Sequence, residues 1–177
     1  YRVSLLIQPW LTDIVNFFVN ATTVIEVVKK SVYNDPDVFS LDIDGMDYYI
    51  MKSFLENGLR PKIIVVEFNS AFGPGKSITL PYDPSFNMFN SYLPYAYYGV
   101  SIKCWDKLFA AYDYKFLTVE TNGVNAFFVN THEFNISFLD GVESLAFKEN
   151  AHQMRLFRKP WMQQFEMIKG HPLVEML

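Results

Sequence analysis

Cysteine is nearly absent: Cys104 is the only one in 177 residues, which excludes an internal disulfide and a zinc site built on several thiolates. Reducing, cytoplasmic surroundings are compatible with that count. Long apolar runs are missing as well. Stretches such as Ile63 to Val66 fall far short of the ~20 residues a membrane-crossing helix needs, so no membrane span is expected. There is no basic stripe, and the net charge of -4 argues against phosphate-backbone recognition, so nucleic acid is not an expected partner. Three charges at Arg155, Arg158 and Lys159 are too few to change that. No glycine precedes Gly45, so the opening quarter of the chain has no Gly-x-Gly turn. The first residue is Tyr1, and Val3-Ser-Leu-Leu-Ile7 is too short, and too soon interrupted by Pro9, for a signal peptide. A chain that opens in this way reads as processed or truncated. The sequons at Asn20 and Asn135 carry weight only in a secreted protein, and nothing supports secretion.

What is present is apolar and aromatic. Half of the residues are hydrophobic and 18% are aromatic, which argues against disorder, and the length suits one domain with a substantial core. Strands and helices alternate. Val15 to Val19 reads as a short strand, and Thr22 or Thr23 caps a helix through Lys30 with Val24, Val27 and Val28 inward. Asn34-Asp-Pro-Asp37 is a turn, Val38 to Ile43 a strand, and Asp47 the expected N-cap of a helix running to Glu56. Pro61 then precedes Lys62 to Glu67, a continuous apolar run of the kind a parallel sheet buries on both faces. Together these make a βαβ unit.

Ser70 to Tyr98, rich in glycine, proline and aromatics, leaves the carboxyl end of that strand as a long loop and is a substrate-lid candidate. Gly99 to Ala111 reads as a helix with Ile102, Leu108 and Ala111 inward. Tyr114 to Val119 and Val124 to Val129 flank Asn122-Gly123, a hairpin signal, so the last two strands are expected to be antiparallel neighbours. Helices are predicted over about Leu145 to Arg158 and Pro160 to Lys169. The expected organisation is an α/β domain over residues 1–135, with a helical extension over 136–177 packed on it.

The chemistry centres on Phe39-Ser-Leu-Asp-Ile-Asp-Gly-Met-Asp-Tyr-Tyr49, which sets carboxylates and a glycine at a strand end. Alternation puts Ser40, Asp42 and Asp44 on one face, and strand ends of this kind point into the ligand crevice of an α/β sheet. Two neighbouring carboxylates there repel unless an ion or a donor lies between them. Three families use such a motif. Leu41-Asp-Ile-Asp-Gly45 resembles the opening motif of haloacid-dehalogenase-type phosphatases, but Met46-Asp47-Tyr48 follows the glycine where that family has threonine and a small residue. An A-type glycosyltransferase would clamp a metal with Asp-x-Asp, but needs a nucleotide-binding half before it, and only 41 residues precede Asp42.

The third resemblance covers roughly residues 15 to 130. Asp42-Ile-Asp-Gly45, Val-Val-Glu67-Phe-Asn69, Phe72-Gly-Pro74, Tyr97-Tyr-Gly99 and Gly123-Val-Asn-Ala-Phe-Phe-Val129, in that order, look like the C-terminal half of an FkbM-type class I methyltransferase. The resemblance implies a Rossmann-like, mostly parallel sheet ending in an antiparallel β-hairpin and incomplete at its N-terminus. It implies S-adenosylmethionine as cofactor, a divalent ion such as Mg2+, and methyl transfer to an oxygen of a small-molecule or glycan acceptor. It assigns the catalytic role to Asp42, the metal to Asp42, Glu67 and Asn69, cofactor contacts to Ser40, Asp42 and Tyr48, and substrate contacts on the loop to Phe72 and Tyr82. Ordinary packing is the alternative for Tyr48, Phe72 and Tyr82, and turn or helix capping for Asp44 and Asp47. The family's glycine turn has no counterpart before Asp42, which makes the chain a fragment or an inactive relative. A half-sheet with an unpaired edge predicts an oligomer, a missing N-terminal segment or a non-catalytic interaction domain.

Overall fold

The computed structural model describes residues 19–31 and 35–177. The strand expected over 15–19 lies outside them except for Val19, which is buried. Helix α1 (Val24–Lys30) is followed by β1 (Val38–Leu41), α2 (Asp47–Glu56) and β2 (Ile63–Glu67). The expected βαβ unit is present, with β1 and β2 parallel in the register Val38–Ile63 to Leu41–Val66.

The sheet as a whole is not mostly parallel. Strands β4 (Tyr114–Val119) and β5 (Asn125–Asn130) form the expected hairpin. The return strand β5, however, inserts between β4 and β2, giving the order β1-β2-β5-β4. The β2 and β5 pair is antiparallel, so a single parallel pair remains among the described strands. A two-stranded antiparallel ladder joins β3 (Ile78–Thr79) to β6 (Val174–Glu175).

Register explains the core. Phe39, Ile64, Phe128 and Phe116 share one row across the sheet. On that face Phe54 of α2 stands 5.1 Å from Phe39, and Phe109 of α3 (Ile102–Ala110) stands 4.5 Å from Phe128, ring to ring. Ile50, Met51, Trp105 and Leu108 complete the cluster. Ala111, expected inward, is the exposed C-cap of α3. Ser101 caps the helix, accepting from the Cys104 N–H.

The helix expected over Leu145 to Arg158 is shorter, α5 (Ala151–Phe157). Residues before it lie along β4: Val119 N–H donates to Leu145 O, and Leu145 N–H to Thr118 Oγ1. That backbone is committed to the strand edge, and the helix starts where the Asn150 side chain accepts from His152 and Gln153 N–H. Two further helices, α4 (Ile136–Asp140) and α6 (Trp161–Ile168), complete the C-terminal region. No helix among the described residues is long and apolar enough to cross a membrane.

Candidate functional site

The carboxyl ends of the parallel pair bring three carboxylates together. The register that sets Leu41 beside Val66 places Asp42 beside Glu67 one residue on, with both side chains on the same face. Asp44 follows in a left-handed backbone conformation, φ 57°, which aspartate tolerates better than most residues. One ligand oxygen from each of Asp42, Asp44 and Glu67 lies within 4.8 Å of the other two. Asp42 is exposed, and Asp44 and Glu67 are partly buried.

Asp47 holds this loop in place. It is the first residue of α2 rather than its cap; Met46 occupies the cap position without a side-chain bond. The Asp47 carboxylate turns back and accepts from Ile43 N–H at 3.0 Å and Gly45 N–H at 2.8 Å. Those bonds close the turn that presents Asp44. Burial pushes the Asp47 pKa up to about 7, against the lowering effect of the backbone N–H groups.

Electrostatics follow from crowding acids at a half-dry strand end. Glu67 is pushed up to about 10, first by burial and then by the charges of Asp42, Asp47 and Asp44. Burial also raises Asp42, opposed by a hydrogen bond from Glu67, and raises Asp44, reinforced by Asp42. Tyr98, fully buried, donates its hydroxyl to Glu67, and its own pKa is held well above 10 by burial and that neighbour. Among the described residues none of these acids forms an ion pair with Lys, Arg or His. Without a cation, Glu67 therefore keeps its proton at neutral pH and donates it to Asp42. Three hard oxygen donors spread no wider than the ~4–5 Å between opposite ligands of one Mg2+ or Ca2+ are residues that could hold such an ion.

The other expected site residues fall elsewhere. Asn69, assigned to the metal, is fully buried. Its Nδ2 donates to Ala96 O and Tyr98 O, and its Oδ1 accepts from Ala71 N–H and Gln153 Nε2. The amide is thereby committed to protein partners, fixing the Tyr98 segment against the end of β2. Gln153 extends the network to Tyr95 O and, through its Oε1, to the Ser70 hydroxyl. Phe72, assigned to substrate, is a core residue with no exposed surface, because the loop packs inside over Ser70 to Gly73 and again over Ser77 to Leu80, with Pro74 to Lys76 exposed between. That part is a fixed wall rather than a lid. Tyr82 is exposed, its ring 5.1 Å from Tyr49. Tyr48 lies half-buried, 6.2 Å from Trp105, and Ser40 is exposed on the edge strand β1.

From the sequence, Asp44 has turn capping as its alternative, Asp47 is a helix cap, and Tyr98 enters only within Tyr97-Tyr-Gly99, with no site role. The shared face of Ser40, Asp42 and Asp44 was a signal for Asp44. Nothing local pointed to Tyr98, which reaches Glu67 only through the Asn69 amide and the turn before Gly99. Comparison with protein-family profiles, with curated proteins and with solved structures yields no match.

Proposed function

We propose that this chain is the C-terminal half of an S-adenosylmethionine-dependent, class I methyltransferase-type domain, acting on an oxygen of a small-molecule or glycan acceptor, with a divalent cation held by Asp42, Asp44 and Glu67. One observation carries this reading: an acidic group sits at the carboxyl ends of a parallel βαβ pair, in a sheet whose closing hairpin runs antiparallel. Ligands of open α/β sheets bind outside the carboxyl ends of the strands, and the hairpin is what distinguishes this fold from an ordinary doubly wound sheet.

The donor set suits a hard cation, because every ligand atom is a carboxylate oxygen and no protein cation offsets their charge among the described residues. An ion there would draw in an acceptor hydroxyl and lower its pKa. The chain's own part is to hold and move the proton. Asp42, the carboxylate that accepts the hydrogen bond from Glu67, would take it, and the Tyr98 hydroxyl fixes the orientation of the protonated Glu67 beside it. S-adenosylmethionine, when bound, supplies an electrophilic methyl group. Ser40, Asp42 and Tyr48 would form one wall of its site. The glycine turn that forms the opposite wall in that family is not among the described residues.

A non-catalytic interaction domain is the second reading, and a specific feature favours it. Strand β1 is an edge of the described sheet, and Val38 on it is 53% exposed; apolar edges of this kind pair with other chains. Calorimetric titration with S-adenosylhomocysteine, with and without Mg2+, on the wild type and on Asp42→Ala separates the two. Saturable binding that the substitution abolishes supports the methyltransferase. A folded protein that binds nothing overturns catalysis by this chain alone.

A further inference from the structure

The segment after β3 encloses space that the acidic group does not use. A hollow of about 560 Å3 lies against Asn90, Ser91, Tyr92, Tyr97 and Pro172. A second, about 610 Å3, is bounded by residues 84–89 and Asp44. The two adjoin at Ser85, Phe86 and Asn87, which line both, and together they make a cleft with Tyr92 at one end and Asp44 at the other.

The lining selects a chemistry. Among the described residues its only charged ones are Asp44 and Asp83, so a phosphate, sulfate or nucleotide would meet negative charge with no compensating cation from them. The Asp83 carboxylate already accepts from the Ser85 N–H and hydroxyl, and Asp44 belongs to the acidic group. What remains is neutral: apolar surface from residues such as Leu80, Phe86 and Pro172, interrupted by a few amides and hydroxyls. Asn87 Oδ1 accepts from Phe89 N–H, which leaves its amide N–H2 turned to other partners, and the Asn90 amide makes no hydrogen bond among the described residues. Ser91 lines the cleft too, but its hydroxyl is buried behind the surface and takes no partner among them.

Aromatic rings supply the second element. Tyr92 stacks on His171 with ring centroids 4.1 Å apart and planes 12° from parallel, yet remains 65% exposed. It is backed on one face by His171 and edge-on to Tyr97, contacts that set the orientation of the ring. A flat aromatic face beside amides and hydroxyls matches a pyranose, whose C–H face stacks on a ring while its hydroxyl rim takes hydrogen bonds.

We propose that this cleft binds a neutral carbohydrate unit, stacked on Tyr92 and hydrogen bonded by Asn90 and Asn87, with a hydroxyl directed toward Asp44. This rests on the proposed function in that it specifies the acceptor of the same site, but sugar binding itself needs neither cofactor nor cation.

The test is a titration of the full chain, followed by saturation-transfer NMR, with the methyl glycosides of glucose, galactose, mannose and N-acetylglucosamine. Glucose 6-phosphate and tetramethylammonium serve as counter-probes. Saturable binding of at least one glycoside is expected, weakened about fivefold or more in Tyr92→Ala and similarly in Asn90→Ala. Both altered positions are exposed, and an unchanged melting temperature verifies the fold. No saturable glycoside binding, equal binding by the two cleft variants, or a preference for either counter-probe overturns the proposal. Failure of S-adenosylhomocysteine to bind would sink the methyltransferase reading and leave this result intact.

Discussion

Glu67→Gln is expected to stabilise the protein when no cation is present. Burial and the surrounding acids push Glu67 up to about 10, against an ordinary 4.5 in the unfolded chain. At pH 7 the folded chain keeps a proton that the unfolded chain releases. Keeping it over 2.5 pH units, 7 less 4.5, costs about 3 kcal/mol at ~1.4 kcal/mol per unit. Water reaching Asp42 screens part of this, so about 3 is an upper bound. Glutamine keeps the shape and the bonds: its amide donates to Asp42 where the protonated carboxyl did, and its oxygen accepts from Tyr98. For a domain of this size a gain of 2–3 kcal/mol raises the melting temperature by roughly 5–10 °C.

The sign follows from the raised pKa. Stability associated with Glu67 is fully present below about 4.5 and is lost as pH rises toward about 10. The melting temperatures of variant and wild type, measured in EDTA, are therefore expected to coincide near pH 4.5 and to separate as pH rises, with the variant higher. Saturating Mg2+ or Mn2+ should reverse the order, because a bound cation supplies the countercharge and glutamine has one ligand oxygen fewer to give. A variant that melts below wild type at pH 8 in EDTA, or a gap that does not narrow on acidification, refutes this account of the acidic group.

Gly73→Ala should cost about 2–4 kcal/mol in urea unfolding, because the glycine has φ 73° and an added Cβ would fall on the Trp161 ring. Gln153→Ala should cost a similar ~2–4 kcal/mol by the same assay, since it strips partners from the Asn69 carbonyl, Ser70 hydroxyl and Tyr95 carbonyl inside the fold. Asn150→Ala removes the cap of α5, with two N–H groups losing their acceptor, and should cost about 1 kcal/mol.

Much of the fold was legible because its signals are local. The continuous apolar run ending at Glu67 marked β2, and Asn122-Gly123 marked the hairpin, whose Gly123 has φ 73°. The insertion of β5 between β2 and β4 was not legible. Residues such as Ala126, Phe128 and Val129 are apolar and buried whichever strand they adjoin, so composition does not name the neighbour. The direction of the sheet turns on that neighbour, and the expectation of a mostly parallel sheet failed there. Periodicity over Leu145 to Arg158 misled for a related reason. Leu145 uses its backbone on the edge of β4, a long-range commitment that helix-period counting cannot register.

The acidic group was half legible, and the division follows physical range. Strand alternation placed Asp42 and Asp44 on one face, and a parallel register places Glu67 beside Asp42, so three carboxylates could be expected at one strand end. What alternation cannot say is how their charge is tolerated. That depends on Asp47 reaching back to the Ile43 and Gly45 N–H groups, and on Tyr98 donating to Glu67 from a turn held by the Asn69 amide. Both act by giving hydrogen bonds rather than positive charge, so they position the acids without neutralising them. A site arranged in this way keeps a proton between Glu67 and Asp42 until a cation or an acceptor displaces it. The same crowding of acids that makes Glu67 costly to the fold makes it a ligand for a cation, which is why one substitution, Glu67→Gln, is expected to improve stability and to remove function together.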